Sequence, residues 1–302
     1  MIRMMGTIFA GLLGLAFGSF LNVCLSRWPE GESIVQPRSH CRRCTHTLAW
    51  WENIPLLSWL ALRGRCRNCR DWVGWRYPLV EFAVGALWAL EAWRLVGTMS
   101  LPDAPPAGAV LAEMLGRMIF YWLLVALAIL DMENLWLPHW ITLPGTVIGF
   151  ISALLQFEFS PDLGSFLVFW SLGTTGLQHP GFTRFALIRL LGILTAAGLI
   201  LLIRWVYWLL RRREGIGLGD AKLMALLAAW LGLPGALVAF VLGIVLGALT
   251  AVALLAIPAA RKQSASWSMS KLPLGTFLCV GGVVSSLWGQ QILAAYLRWA
   301  GL

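Results

Sequence analysis

The sequence predicts an all-α polytopic membrane protein with about eight transmembrane helices and a small cytoplasmic zinc-binding loop domain. Three observations lead there. Of 302 residues, 59% are hydrophobic and 12% are charged, about half the charge that a soluble domain carries. The apolar residues come in runs of about twenty, the length that crosses a bilayer as a helix. Four of the six cysteines form two C-x-x-C pairs inside one Arg-rich loop.

The runs fall at Thr7 to Leu25, Pro78 to Val96, Arg117 to Asp131, Trp140 to Phe157, Phe185 to Leu210, Gly217 to Leu233, Ala236 to Ile257 and Leu274 to Leu297. No small-x-small cleavage pattern follows the first, so residues 1–26 are read as a retained helix. Residues 27–77 form the loop domain, and residues 78–302 carry the remaining helices. The sixth run opens on Gly217-Leu218-Gly219-Asp220 and closes at Leu233-Pro234-Gly235, which leaves little apolar length for a full crossing. No internal repeat is evident.

Most of the 23 Lys and Arg residues lie on alternate connections, from Arg27 to Arg76, from Arg204 to Lys222 and from Arg261 to Lys271. By the positive-inside rule these connections face the cytoplasm and both termini face out. The net charge of +9 then belongs to the membrane orientation, and no nucleic-acid partner is expected. On the outer side, Ser100 to Gly108 reads as a Pro-rich turn. Residues 158–184 hold an apolar run, Phe166 to Leu172, too short to span and expected on the membrane surface. Several of the 18 tryptophans, among them Trp50, Trp136, Trp140 and Trp205, sit near predicted span ends as an interfacial belt.

Cys41-x-x-Cys44 and Cys66-x-x-Cys69 can place four thiolates around one Zn²⁺, leaving no open position for water, so the site is expected to be structural. The competing reading is a pair of redox dithiols, for which the usual βαβ context is missing. His40 and His46 flank the first pair and read as bystanders. Cys24 and Cys279, each in an apolar run, read as small core fillers.

Acidic residues are costly at membrane depth, about 2.5–3.5 kcal/mol for Asp at a helix centre. Asp131 ends the third run and Asp220 opens the sixth, so both reach the cytoplasmic boundary and can meet there. Two adjacent carboxylates share one proton near neutral pH, which supplies both a base to activate water and an acid to protonate a peptide group. The pair titrates as a unit, and the chain does not say which member holds the proton. Asp220 also has the position of a helix cap, and that reading stays open. Gly217 and Gly219 would let a substrate strand approach closely. Glu133, Glu81 and Glu214 read as solvated, capping or paired with a local Arg. Lys222 reads as a partner for lipid phosphate, with a carboxylate as the alternative.

Taken together, Gly18-Ser19-Phe20-Leu21-Asn22-Val23 with Arg27 and Pro29, the paired cysteine knuckles, Arg76-Tyr77-Pro78-x-Val80-Glu81, Asp131 seven residues before Pro138, and Gly217-x-Gly219-Asp220-x-Lys222 resemble the type IV prepilin peptidase family, aspartyl intramembrane proteases of the G-x-G-D type. The resemblance implies an inner-membrane enzyme that cleaves the leader of type IV prepilins or type II secretion pseudopilins at the cytoplasmic face, then methylates the new N-terminus with S-adenosylmethionine. It implies Asp131 and Asp220 as the catalytic pair and Cys41, Cys44, Cys66 and Cys69 as zinc ligands, and it assigns no residue to the methyl donor. Three departures stand out: His139 after Pro138 where many relatives carry Asp, Pro273-Leu274-Gly275-Thr276 in place of a commoner P-F-G-P, and the length of residues 158–184. They bear on substrate choice and methylation and are expected to leave the two carboxylates untouched.

Two other classes compete. A proton-coupled transporter would need further ionisable groups deep in the spans, where Glu91 is almost alone. A membrane scaffold with a zinc module would tolerate loss of the carboxylates.

Overall fold

The computed structural model describes residues 1–99, 105–159, 181–213, 217–256 and 272–301. Most of the Pro-rich turn, most of the 158–184 segment, Glu214 and the basic connection from Arg261 to Lys271 lie outside these residues.

The described residues form eight α-helices and no β-strand. They are α1 (Ile2–Arg27), α2 (Leu57–Ala61), α3 (Arg76–Thr98), α4 (Ala107–Asn134), α5 (His139–Phe159), α6 (Phe182–Arg211), α7 (Leu218–Ala256) and α8 (Leu274–Ala300), with a 3-10 turn at Trp50–Asn53. The chain divides into two compact units, Met1–Ala126 and Leu127–Leu302, with the division falling within α4.

In the N-terminal unit α1 packs against α3 through glycine. A Cβ on Gly18 would stand 2.7 Å from the Cα of Glu81, and one on Gly14 would stand 2.9 Å from the Cα of Gly85. Small residues at this spacing let two backbones touch, which is how helices gain packing energy in lipid. α1 stops at Trp28-Pro29, because proline cannot donate the next helical hydrogen bond. Its last residue, Arg27, is buried and donates to the carbonyls of Ser33 at 2.7 Å and Pro37 at 2.6 Å. That pins the start of the following loop.

The loop is built from two knuckles of the same design. The Cys41 N–H donates to the carbonyl of His46, and the Cys66 N–H to the carbonyl of Asp71, both at 2.9 Å. Each knuckle turns through a left-handed residue, Thr45 at φ 55° and Arg70 at φ 59°. Beside them Trp59, Trp72 and Trp75 form an aromatic cluster with centroids 4.5–6.0 Å apart.

In the C-terminal unit, α7 holds 39 residues, or about 58 Å of helix at ~1.5 Å per residue, far more than a membrane requires. It breaks at Gly232 (φ 74°, ψ 169°), and Pro234 sits in the first turn of the next stretch, where a missing N–H costs little. The first half, Leu218 to Leu231, is roughly 21 Å long, shorter than the ~30 Å hydrocarbon core. It is also deeply buried, with Leu223, Met224, Leu226, Leu227, Ala228 and Ala229 at 0% exposure. The sixth and seventh apolar runs are therefore two halves of one broken helix. Among the described residues, six helices are long and apolar enough to cross a membrane: α1, α4, α5, α6, α7 and α8. α3 forms where expected but carries Glu81, Glu91 and Arg94 and is not among them.

Candidate active site and metal centre

Asp131 lies in the last turn of α4 and Asp220 in the first turn of α7. Both are buried, at 6% and 9% exposure. They lie close enough that the charge on Asp131 acts on Asp220. Cys279, in α8, is the small buried filler that its apolar run suggests, as is Cys24.

Each carboxylate is held by a helix start. Asp131 Oδ2 accepts the Thr276 N–H at 2.7 Å, so it satisfies one of the orphan donors in the first turn of α8. The Thr276 hydroxyl donates to the Ala128 carbonyl at 2.9 Å and lies 3.3 Å from the same Asp131 oxygen. Asp220 reaches back: its Oδ2 accepts the Gly217 N–H at 3.2 Å, the position of the third residue in a capping box. Capping uses one oxygen of Asp220 and leaves Oδ1 without a partner among the described residues.

One residue joins the two positions. Leu137, in the turn between α4 and α5, lies against both Gly219 and Gly275, within 3.0 Å of where a Cβ on either would stand. A Cβ on Gly275 would also come within 2.8 Å of Asp131 Oδ2, so the carboxylate has its place only because residue 275 lacks a side chain. The turn is tight, with Leu135 at φ 51° and its N–H on the Asp131 carbonyl at 2.9 Å.

This geometry corrects one expectation. The Pro273-Leu274-Gly275-Thr276 departure does not leave the carboxylates untouched, since Gly275 and Thr276 make the floor under Asp131. Neither Thr276 nor Leu137 is legible as a site residue in the sequence; the unusual tetrapeptide was the one signal available.

Of the remaining candidates, Lys222 is half-buried in α7 and Glu133 is exposed at the end of α4. Glu81 belongs to the N-terminal unit, where its Oε2 accepts the Leu56 N–H at 2.8 Å and Ser19 provides a second hydrogen bond. Glu91, in the same unit, accepts from the Tyr121 hydroxyl at 3.1 Å and lies 4.0 Å from Arg117. This neighbourhood is self-paired.

The four cysteines converge. Cys41, Cys44, Cys66 and Cys69 bring their sulfurs within 4.8 Å of one another, with Cys41 to Cys69 at 3.8 Å and Cys44 to Cys66 at 3.9 Å. These separations are too long for a disulfide. They match the ~3.8 Å edge of a tetrahedron whose centre lies ~2.3 Å from each sulfur, the dimension of a Cys₄ zinc site. The thiols also divide electrostatically. A backbone hydrogen bond from His46 draws Cys44 down to about 6. A similar bond from Asp71 favours the Cys69 thiolate, but burial and the three neighbouring sulfurs outweigh it and push Cys69 up to about 12. Sulfurs this close cannot all ionise unless a cation sits among them. The cluster could hold a metal, and neither His40 nor His46 joins it among the described residues.

Known proteins resemble the chain along most of its length. Residues 12–95 match the bacterial peptidase A24 N-terminal domain, and residues 118–252 match the type IV leader peptidase family. The chain is 32% identical to a prepilin leader peptidase/N-methyltransferase of Stutzerimonas stutzeri, over 96% of this chain and 93% of the relative. A protein of the same description in Pseudomonas aeruginosa is also 32% identical, over 96% and 93%, and one in Burkholderia pseudomallei is 36% identical, over 93% and 85%. No solved structure matches significantly. With both segments matched in order and similarity running along nearly the whole chain, this multi-pass membrane protein belongs to the type IV leader peptidase family.

Proposed function

We propose that the chain is an aspartyl endopeptidase of the bacterial inner membrane that removes the leader of type IV prepilins or type II secretion pseudopilins at the cytoplasmic face, and then N-methylates the new terminus. The observation that carries this reading is the meeting of two buried carboxylates, each anchored through one oxygen to a helix start. Anchoring fixes orientation, and the remaining oxygens are free to act on a water molecule.

In this mechanism the ionised member of the pair takes a proton from water, and the oxygen attacks the scissile carbonyl carbon. The protonated member gives its proton to the carbonyl oxygen. Collapse of the tetrahedral adduct returns that proton to the member that gave it, while the other member passes the proton taken from water to the leaving nitrogen and the C–N bond breaks. The prepilin's apolar helix enters among the spans, and its basic leader stays at the surface, where Lys222 contacts lipid phosphate.

The four cysteines hold structural Zn²⁺, which supplies folding energy and no open coordination position. The methyl donor is S-adenosylmethionine.

Co-expression with a prepilin tests the peptidase assignment. Asp131→Asn and Asp220→Asn each leave the precursor unprocessed, a loss of at least ~10²–10⁴-fold in cleavage, with normal protein abundance and metal content. Normal processing by either variant overturns the assignment.

A further inference from the structure

Residues 27–77, expected as a soluble excursion, contain a stretch without charge, the ten residues from Asn53 to Leu62. An apolar run of that length is too short to span a membrane and has the length of an interfacial segment. It carries α2, and exposed Arg63, Arg65, Arg67 and Arg70 follow it directly.

The depth of α2 is set by Glu81. α1 is long and apolar enough to cross a membrane; its 26 residues make about 39 Å of helix, against a hydrocarbon core of ~30 Å. Gly18 of α1 sits against the backbone of Glu81, and Ser19 hydrogen-bonds the Glu81 side chain. Ser19 stands about 12 Å along the axis from the end of α1, which places it at the edge of the hydrocarbon core or inside it. The same Glu81 side chain accepts the Leu56 N–H at 2.8 Å. The start of α2 therefore lies beside the last turns of α1 and the first turns of α3, and not beyond their ends.

At that depth α2 turns an apolar face outward. Leu57 and Leu60 are three residues apart, on one side of the helix, and are 64% and 63% exposed. This face is continuous with the flank of α3. Trp59 packs with its ring centroid 4.5 Å from that of Trp75, and exposed Trp75, Leu79 and Phe82 follow at the spacing of one helical stripe. An apolar face at the level of the acyl chains, bordered by arginines, matches a lipid surface with anionic headgroups in both shape and charge.

We propose that α2 is an interfacial anchor: Leu57 and Leu60 enter the acyl-chain boundary, and the arginines that follow engage the phosphates of anionic lipids. The cysteine module is then held flush with the bilayer and does not swing freely in water. The choice of the cytoplasmic leaflet rests on the orientation in the proposed function; the lipid contact itself rests only on α1 crossing the membrane.

The test places the full chain in nanodiscs of phosphatidylethanolamine and phosphatidylglycerol that contain a phosphatidylglycerol with a diazirine on its acyl chain, followed by photolysis and peptide mapping. Label is expected on residues 56–61 as well as on exposed Phe17 and Phe20 of α1. Leu57→Asp combined with Leu60→Asp lowers the label at 56–61 at least ~10-fold, with metal content and the label on α1 unchanged. Replacing all phosphatidylglycerol by phosphatidylcholine, with the diazirine on the latter, lowers it roughly three-fold; an undiminished label overturns the role of the arginines. Label on α1 without label at 56–61, or cross-linking of 56–61 to a second copy or to a prepilin in place of lipid, overturns the anchor. No label on α1 overturns the membrane crossing as well. Cutting at Arg63 to Arg70 by trypsin added outside intact spheroplasts overturns the orientation and leaves the lipid contact standing. The wild-type label needs no substitution, so it decides the matter even if the aspartate variant folds poorly.

Discussion

The two compact units use buried polar groups in opposite ways. In the N-terminal unit they fasten chain to chain: Arg27 holds two carbonyls of the loop, Glu81 holds the Leu56 N–H, and four cysteines close the knuckles. In the C-terminal unit two carboxylates are each fastened by one oxygen, while a glycine at 275 keeps space beside Asp131. Burial builds shape in the first unit and holds reactive atoms in the second. Damage to the first should therefore appear as lost protein, and damage to the second as lost turnover.

The strongest way to break this contrast is through the metal. Chelation, or Cys66→Ser, removes a kind of site worth ~10–16 kcal/mol in small zinc modules. The expected result is a large fall in abundance and metal content, with cleavage per folded molecule declining later; a stable, metal-loaded Cys66→Ser protein contradicts it. The pH dependence has a definite sign. Cys69, pushed up to about 12, must shed a proton to bind metal at any ordinary pH, and Cys44, drawn down to about 6, adds a further proton only below that value. Metal affinity should fall with decreasing pH and fall more steeply below about pH 6, measured as metal retained after dialysis.

Gly275→Ala tests the second unit. Its new methyl group would contest the place of Asp131 Oδ2, and a displaced reactive group costs ~10²-fold. Cleavage should drop by about that factor with metal content unchanged; wild-type turnover would mean the carboxylate tolerates movement.

Thr276→Val is a finer probe. The backbone N–H to Asp131 survives, but the hydroxyl to Ala128 and Asp131 is lost. A roughly ten-fold fall in kcat, about 1.4 kcal/mol, is expected at little change in KM, with Thr276→Ser restoring activity. Equal rates for valine and serine variants would show that the hydroxyl does not position Asp131.

Glu81→Gln should have the smallest effect. It keeps an acceptor for Leu56 and loses only the ionic share of that hydrogen bond, so stability falls by about 1 kcal/mol, seen as a shift in Tm, with kcat unaffected.

Much of this was legible along the chain. Apolar runs located the helices, C-x-x-C spacing located the thiolate cluster, and acidic residues at span ends located the carboxylates, because each signal is confined to a short stretch whose local physics is the same in any fold. The break at Leu233-Pro234-Gly235 was visible for the same reason. Its detail was not, since only the backbone shows that Gly232 takes a left-handed φ and that the short half-helix is buried.

The sequence by itself determined the membrane class, the cysteine set and the two acids. Tertiary structure alone decided what surrounds them. Thr276 meets Asp131 across 145 residues, Leu137 bridges Gly219 and Gly275, and Leu56 finds Glu81 across 25 residues. A hydrogen bond or a steric fit is a property of two positions in space, and no pattern along one stretch of chain reports which distant residue will stand at the other end.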